Sequence, residues 1–228
     1  MKKEVQQSPS APAPTIGDNA YHRIRSDIIF GYLPPHQKLK LDQLRDTYGA
    51  SISTLREILN RLSSEYLVVA EGQRGFEVAP VSVENLKEIA ALRLLLEEHA
   101  LEQSFAAGDM EWEGRVVAAH HKLAALEKRM LDGDKSITEL WKRYDWEFHQ
   151  ALISACGSKV LLETHAGVFD KYLRYQMIAL SFRGDIAADE HKIMRDCALE
   201  RNAKGAREVL TRHVQGGVEH ALATGAIG

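Results

Sequence analysis

The stretch LDQLRDTYGASISTLREILNRL, Leu41 to Leu62, decides the fold. Leu41, Leu44 and Tyr48 line one face of a short helix that stops at Gly49, and Leu55, Ile58, Leu59 and Leu62 line one face of a second. Only Gly49 to Ser53 separate them. A turn that short crosses the two helices steeply and leaves the second one protruding, which is the pattern of a helix-turn-helix. Upstream, Tyr21, Ile24 and Ile28 repeat at helical spacing until Gly31, and Pro34-Pro35 prevent continuation. Downstream, Leu67-Val68-Val69 and Phe76-Glu77-Val78 read as strands about Gly72-Gln73-Arg74-Gly75, a hairpin with a cationic tip. That hairpin is the wing, and residues 20–80 are expected to form a winged helix-turn-helix.

The flanks differ in character. Residues 1–19 carry Ser8, Pro9, Pro12 and Pro14 without apolar periodicity, which predicts an unstructured leader. From residue 81 to 228 the chain keeps a 3.6-residue period rich in Leu, Ala, Glu and Lys, which predicts an all-helical second domain and a mostly α protein. The spacing places helices at Val83–Ala107, Trp112–Leu131, Thr138–Ala155, Val160–Phe182 (long enough to break), Ala187–Glu200 and Ala203–Ala223. Ser136 and Glu139 have the spacing of a capping box.

Bulk properties exclude several classes. Two isolated cysteines, Cys156 and Cys197, rule out a disulfide framework and suit a reducing cytoplasm. No apolar run approaches the roughly 20 residues needed to span a bilayer, so no membrane is expected as a partner. The formal net charge of −3 argues against non-specific nucleic-acid binding. Even Ala20–Pro80 holds eight Lys and Arg against seven Asp and Glu, so DNA binding must depend on where the charges sit.

A recognition helix keeps its N-terminal residues free for phosphates and base edges while its other face packs. Ser51, Ser53, Thr54, Arg56 and Arg61 avoid the Leu55/Ile58/Leu62 stripe, and Arg56 has the fork to pair with phosphate or read guanine. Arg74 and Gly75 at the wing tip suit a backbone or minor-groove contact, and Lys40 adds charge just before the second helix. Taken singly, Ser51 to Thr54 read equally well as a plain helix cap.

Asp145 and His149 stand at i and i+4, so both leave one face of a helix, and His191 and His213 lie on the last two helices. One carboxylate with three imidazoles suits Zn²⁺ or Ni²⁺ better than Ca²⁺ or Mg²⁺. The spacing alone leaves open a solvated Asp–His pair. His99, His120, His121, His165 and His220 match no ligand pattern and read as surface or packing residues.

Taken together, Gly31-Tyr32-Leu33-Pro34-Pro35, Leu44, Gly49-Ala50-Ser51, Ser53 to Leu59, Arg61-Leu62 and Gly72 to Val78 resemble the DNA-binding domain of the GntR family. Asp42 stands where relatives often have a basic residue, and Ile52 where they often have a polar one, so the resemblance leaves the operator sequence open. Arg93-x-x-x-Glu97, Asp145-Trp146-Glu147-Phe148-His149-x-x-Leu152, Glu190-His191, Asn202-Ala203 and His213-Val214 resemble the helical FCD effector domain of one GntR branch. That resemblance implies a divalent metal on Asp145, His149, His191 and His213 beneath a pocket for a carboxylate metabolite. It also places Arg93, Tyr172 and Tyr175 as effector-binding candidates, although Arg93 reads equally as a salt bridge to Glu97.

The expectation is therefore a homodimeric transcription regulator, by family analogy a repressor. It binds a pseudo-palindromic double-stranded operator and answers to a small carboxylate beside a divalent metal. A regulator that senses the metal alone is one rival. A metal-dependent enzyme is the other, and it lacks any general base placed beside a ligand as in His-Glu-x-x-His.

Overall fold

The computed structural model describes residues 15–72, 75–180 and 182–227. The chain divides into two compact units, one formed by the chain up to Asp27 with His36–Ala79, the other by Ile28–Pro35 with Pro80 onward. No helix among the described residues is long and apolar enough to cross a membrane.

In the smaller unit, α1 (Ile16–Ile29), α2 (Leu41–Tyr48) and α3 (Ile52–Ser64) pack through Tyr21, Ile24, Leu44, Tyr48, Leu55, Leu59 and Leu62, all buried. Gly49 ends α2 at φ 70°, a left-handed position that a glycine takes without a Cβ penalty, and Ser51 caps α3 two residues later. β1 (Val68–Ala70) and β2 (Phe76–Val78) pair antiparallel with Val68 opposite Val78, and Lys38 bridges to Glu77 at the outer side of β2.

α1 corrects one expectation. Thr15 and Asp18 form a reciprocal cap, each side chain accepting from the other's backbone N–H at 3.1 Å, so the helix starts at Ile16. The leader expected over 1–19 is therefore helical from 16 to 19, and its residues 1–14 lie outside the described residues.

The larger unit is a bundle of α4 (Val83–Ala107), α5 (Met110–Leu131), α6 (Thr138–Ile153), α7 (Lys159–Ile178), α8 (Asp185–Leu199) and α9 (Ala203–Ala223). Ser82, Asp109, Ser158 and Asn202 each accept a backbone N–H at the head of α4, α5, α7 and α9. Ser136 and Glu139 do not form the expected capping box. A 3-10 turn at Lys135–Ile137 intervenes, Ser136 bonds to Asp134, and Glu139 pairs with Arg143.

The bundle core combines Trp112, Leu123, Phe148, Leu152, Met194, Leu210 and Val214 with a set of buried charged side chains. α7 and α9 approach closely at Gly217, where an added Cβ would strike the Tyr172 hydroxyl and reach within 3.0 Å of Gln176 Nε2.

Candidate functional site

α3 presents Ser51, Ser53 and Arg56 to solvent, opposite its buried stripe. Ser51 Oγ accepts from Thr54 N at 3.2 Å and lies 2.8 and 2.9 Å from the Ser53 and Thr54 hydroxyls, so the same residues cap the helix and gather hydroxyls at its positive end. A groove of about 740 Å³ between this helix and the hairpin is lined by Lys38, Lys40, Arg56, Asn60 and Gly75. Four of these side chains are cationic or polar, which suits a phosphate backbone.

Arg61 is exposed on α3, with its guanidinium over the Tyr21 ring at 3.7 Å and 3.8 Å from Glu65. Arg74 lies outside the described residues. Asp42 is paired with Arg45 at 3.3 Å.

In the bundle, Asp145 and His149 of α6, His191 of α8 and His213 of α9 converge, each buried, with one ligand atom apiece all within 4.8 Å of one another. The imidazole centroids are 5.6 Å (His149–His191), 5.3 Å (His149–His213) and 4.6 Å (His191–His213) apart. Three imidazoles on one ion at ~2.1 Å would place their centroids on the order of 5 Å apart.

Each histidine is backed by a glutamate. Glu97 lies 2.5 Å from His149 Nδ1, Glu127 lies 2.6 Å from His191 Nδ1, and Glu190 lies 2.9 Å from His213 Nδ1. A carboxylate on Nδ1 fixes that nitrogen as the proton-bearing one and turns the Nε2 lone pair toward the shared centre, the arrangement of metal-ligating histidines. His191 Nε2 bears this out. It sits 3.2 Å from Asp145 Oδ1 and is one of the buried atoms left without a hydrogen-bond partner among the described residues.

The electrostatics ask for a cation. Burial opposes charging His191, yet Asp145 and Glu127 hold its pKa up to about 9. Burial pushes His149 and His213 down, His213 well below the usual range, which keeps their lone pairs available. Against burial, Lys142 and His191 hold Asp145 well below the carboxylate range, and Arg93 and His149 do the same for Glu97. A bundle selected for stability alone would fill such positions with apolar residues. The donor set therefore fits a divalent ion.

The expected effector residues divide. Arg93 bonds to Glu97 at 2.9 Å, stacks on Phe169 and Tyr172, and lies 3.2 Å from His149 Nδ1, so the structure realises the salt-bridge alternative. Tyr172 stands beside it and donates to the Val214 carbonyl at 3.1 Å. Tyr175 is not brought to this site, because its hydroxyl binds Asn85 at 2.9 Å and accepts from Ser82 N at the head of α4.

Sequence reasoning missed the cations that face the cluster. A cavity of about 20 Å³ adjoins it, lined by Trp141, Lys142, Asp145, Gln176, Arg183 and His213 among others. Lys142 lies 3.5 Å from Asp145 Oδ2 and donates to Gln176, while Arg183 reaches Glu190 at 2.6 Å and His213 Nδ1 at 3.0 Å. Lys142 carried a signal, being three residues before Asp145 on the same face. Glu127 and Arg183 carried none. His120 and His165 are buried, and His165 Nε2 lies 3.1 Å from Glu97.

These features agree with similarity to known proteins. The chain matches the FCD domain over residues 88–216 and the bacterial regulatory proteins of the gntR family over residues 16–78. It is 33% identical over 212 residues, 92% of this chain and 86% of the relative, to the uncharacterized HTH-type transcriptional regulator BphR of Paraburkholderia xenovorans LB400. It is 30% identical over 204 residues, 86% of this chain and 91% of the relative, to the HTH-type transcriptional repressor GlaR of Escherichia coli K12. In fold it is similar to E. coli McbR/YncC, with a TM-score of 0.77 at 18% identity over 92% of this chain and 98% of that one. The chain belongs to the GntR family of bacterial regulatory proteins, in the branch with an FCD domain, and so stands among DNA-binding transcriptional regulators and not among enzymes.

Proposed function

We propose that this protein is a cytoplasmic homodimeric repressor whose hold on a pseudo-palindromic operator is controlled by a small organic carboxylate bound beside a Zn²⁺ or Ni²⁺ ion. The observation that carries the reading is the convergence of Asp145, His149, His191 and His213, with a glutamate behind every imidazole. The ion would supply a positive centre for an oxygen ligand; Lys142 and Arg183 would orient that ligand and offset its charge.

Charge counting supports an anionic effector. Asp145, Glu97, Glu127 and Glu190 face Arg93, Lys142 and Arg183, four negative groups against three positive. A divalent ion reverses the balance to one positive charge, which a monocarboxylate neutralises.

The test is fluorescence anisotropy on operator DNA selected by the protein itself, with chelated protein, then Zn²⁺ or Ni²⁺, then small carboxylic acids. Release from DNA only after an acid is added to the metal-loaded protein supports the reading. Release, or tightening, on metal alone favours the rival in which the ion is the signal. The small volume beside the cluster, about 20 Å³, is the observation that favours that rival.

A further inference from the structure

The cavity at the metal cluster, about 20 Å³, has room for about one water molecule and for no organic body. A second cavity of about 590 Å³ lies against it, within the size range of small-molecule sites. Trp141 lines both and is their common wall, with the Phe182 ring standing edge-on to it at 4.9 Å and Lys142 Nζ 4.1 Å over its ring. The larger cavity is lined by Phe30, Tyr32, Met130, Met177 and Phe182 in addition to Trp141, and by the polar Lys135, Ser136, Thr138 and Glu139; its rings and thioethers favour an aromatic occupant.

We propose that the effector is an arylalkanoic acid, a carboxylate carried on a short chain from an aromatic ring, that lies across the Trp141–Phe182 contact, its carboxylate among Lys142, Arg183 and the ligand set and its ring in the larger cavity. This rests on the carboxylate reading above and adds the chemical class of the rest of the molecule. Volume decides the point, because the carboxylate end has room for about one water and the body must occupy the adjoining space.

Phe182 and Arg183 are neighbours on the connection between α7 and α8, one lining the larger cavity and the other the smaller. Leu180 and Gly184 flank them at φ 47° and 61°, both in the left-handed region. The Trp141 indole N–H is buried without an acceptor among the described residues, and an oxygen of the ligand is the kind of atom it lacks. Phe30 and Tyr32 lie on the segment Ile28–Pro35, which packs with the bundle yet joins α1 to α2 in the chain, so an occupant touches the stretch leading into the helix-turn-helix.

The test titrates the Zn²⁺-loaded full-length protein by calorimetry with acetate, 3-phenylpropanoate and 3-phenylpropanamide. The acid with the ring is expected to bind at least about tenfold tighter than acetate, the effect of burying a phenyl group. Met177→Trp and Ser136→Trp, which fill the larger cavity from a half-buried and an exposed position, are expected to cut that ratio below about threefold. Circular dichroism establishes that each is folded, and the exposed Ser136 keeps the test available if the Met177 variant is not. Equal affinity for the two acids, or an undiminished ratio in the folded variants, overturns the aryl assignment and leaves the carboxylate reading standing. Amide binding as tight as the acid, or no binding of either acid, overturns both.

Discussion

Glu127 Oε1 lies 2.6 Å from His191 Nδ1, joining α5 to α8, and this contact fixes which nitrogen of His191 faces the other three ligands. No periodicity in the chain marks Glu127, yet the cluster depends on it. Glu127→Gln keeps the shape and removes the charge. We expect metal affinity to fall by about tenfold or more, measured by competition with a chromogenic chelator, with the helical circular dichroism unchanged.

His149→Ala removes a ligand and leaves Glu97 with Arg93 and His165 as partners. We expect bound metal to drop below stoichiometric and any acid-dependent release from DNA to vanish while the protein stays folded. Full occupancy by elemental analysis in this variant would take His149 out of the site.

Arg56 is exposed on α3 and lines the groove beside the hairpin, whereas Arg45 on α2 is occupied with Asp42 and Asp46. Arg56→Ala is expected to weaken operator binding by about tenfold to a hundredfold, and Arg45→Ala by much less. Metal content should be the same in both. Equal DNA affinity for wild type and Arg56→Ala would count against α3 as the reading helix.

His120 is buried against Phe148, and burial together with Arg195 pushes its pKa down to about 4. The unfolded chain therefore binds this proton first, near pH 6.5, and the stability His120 contributes is full above that pH and lost as pH falls toward 4. Melting temperature should decline over this window, and His120→Gln should decline less steeply. Parallel curves would show that His120 does not titrate in this way.

Gly217→Ala places a methyl group where α7 meets α9, against the Tyr172 hydroxyl and Gln176. We expect a loss of about 1–3 kcal/mol by thermal or denaturant unfolding, since both neighbours are buried and have little room to yield. An unchanged midpoint would mean that the two helices separate easily.

Elements with a strong local signal were legible in advance. α4 and α9 have the bounds their apolar spacing predicts, and the Gly49 stop and Ser51 cap delimit the turn between α2 and α3. Local signals failed where competing caps overlapped. Thr15 and Asp18 start α1 inside a Pro-rich stretch, and Asp134 captures Ser136 before Glu139 can. In the site, Asp145 and His149 share a face because a helix puts i and i+4 together, while His191 and His213 could be joined to them only through family resemblance.

The sequence by itself determined the two-part architecture and the placing of Asp145 and His149 on one helical face, because helical period and capping chemistry act over a few residues and leave a repeating mark. Tertiary packing alone decided the rest. It set Glu127 behind His191, Arg183 beside His213 and Trp141 between two cavities, over separations of 64, 30 and 41 residues for the Glu127–His191, Arg183–His213 and Trp141–Phe182 contacts. Such contacts depend on how whole helices pack, and that energy is spread across many apolar neighbours and not written in any short run of the chain.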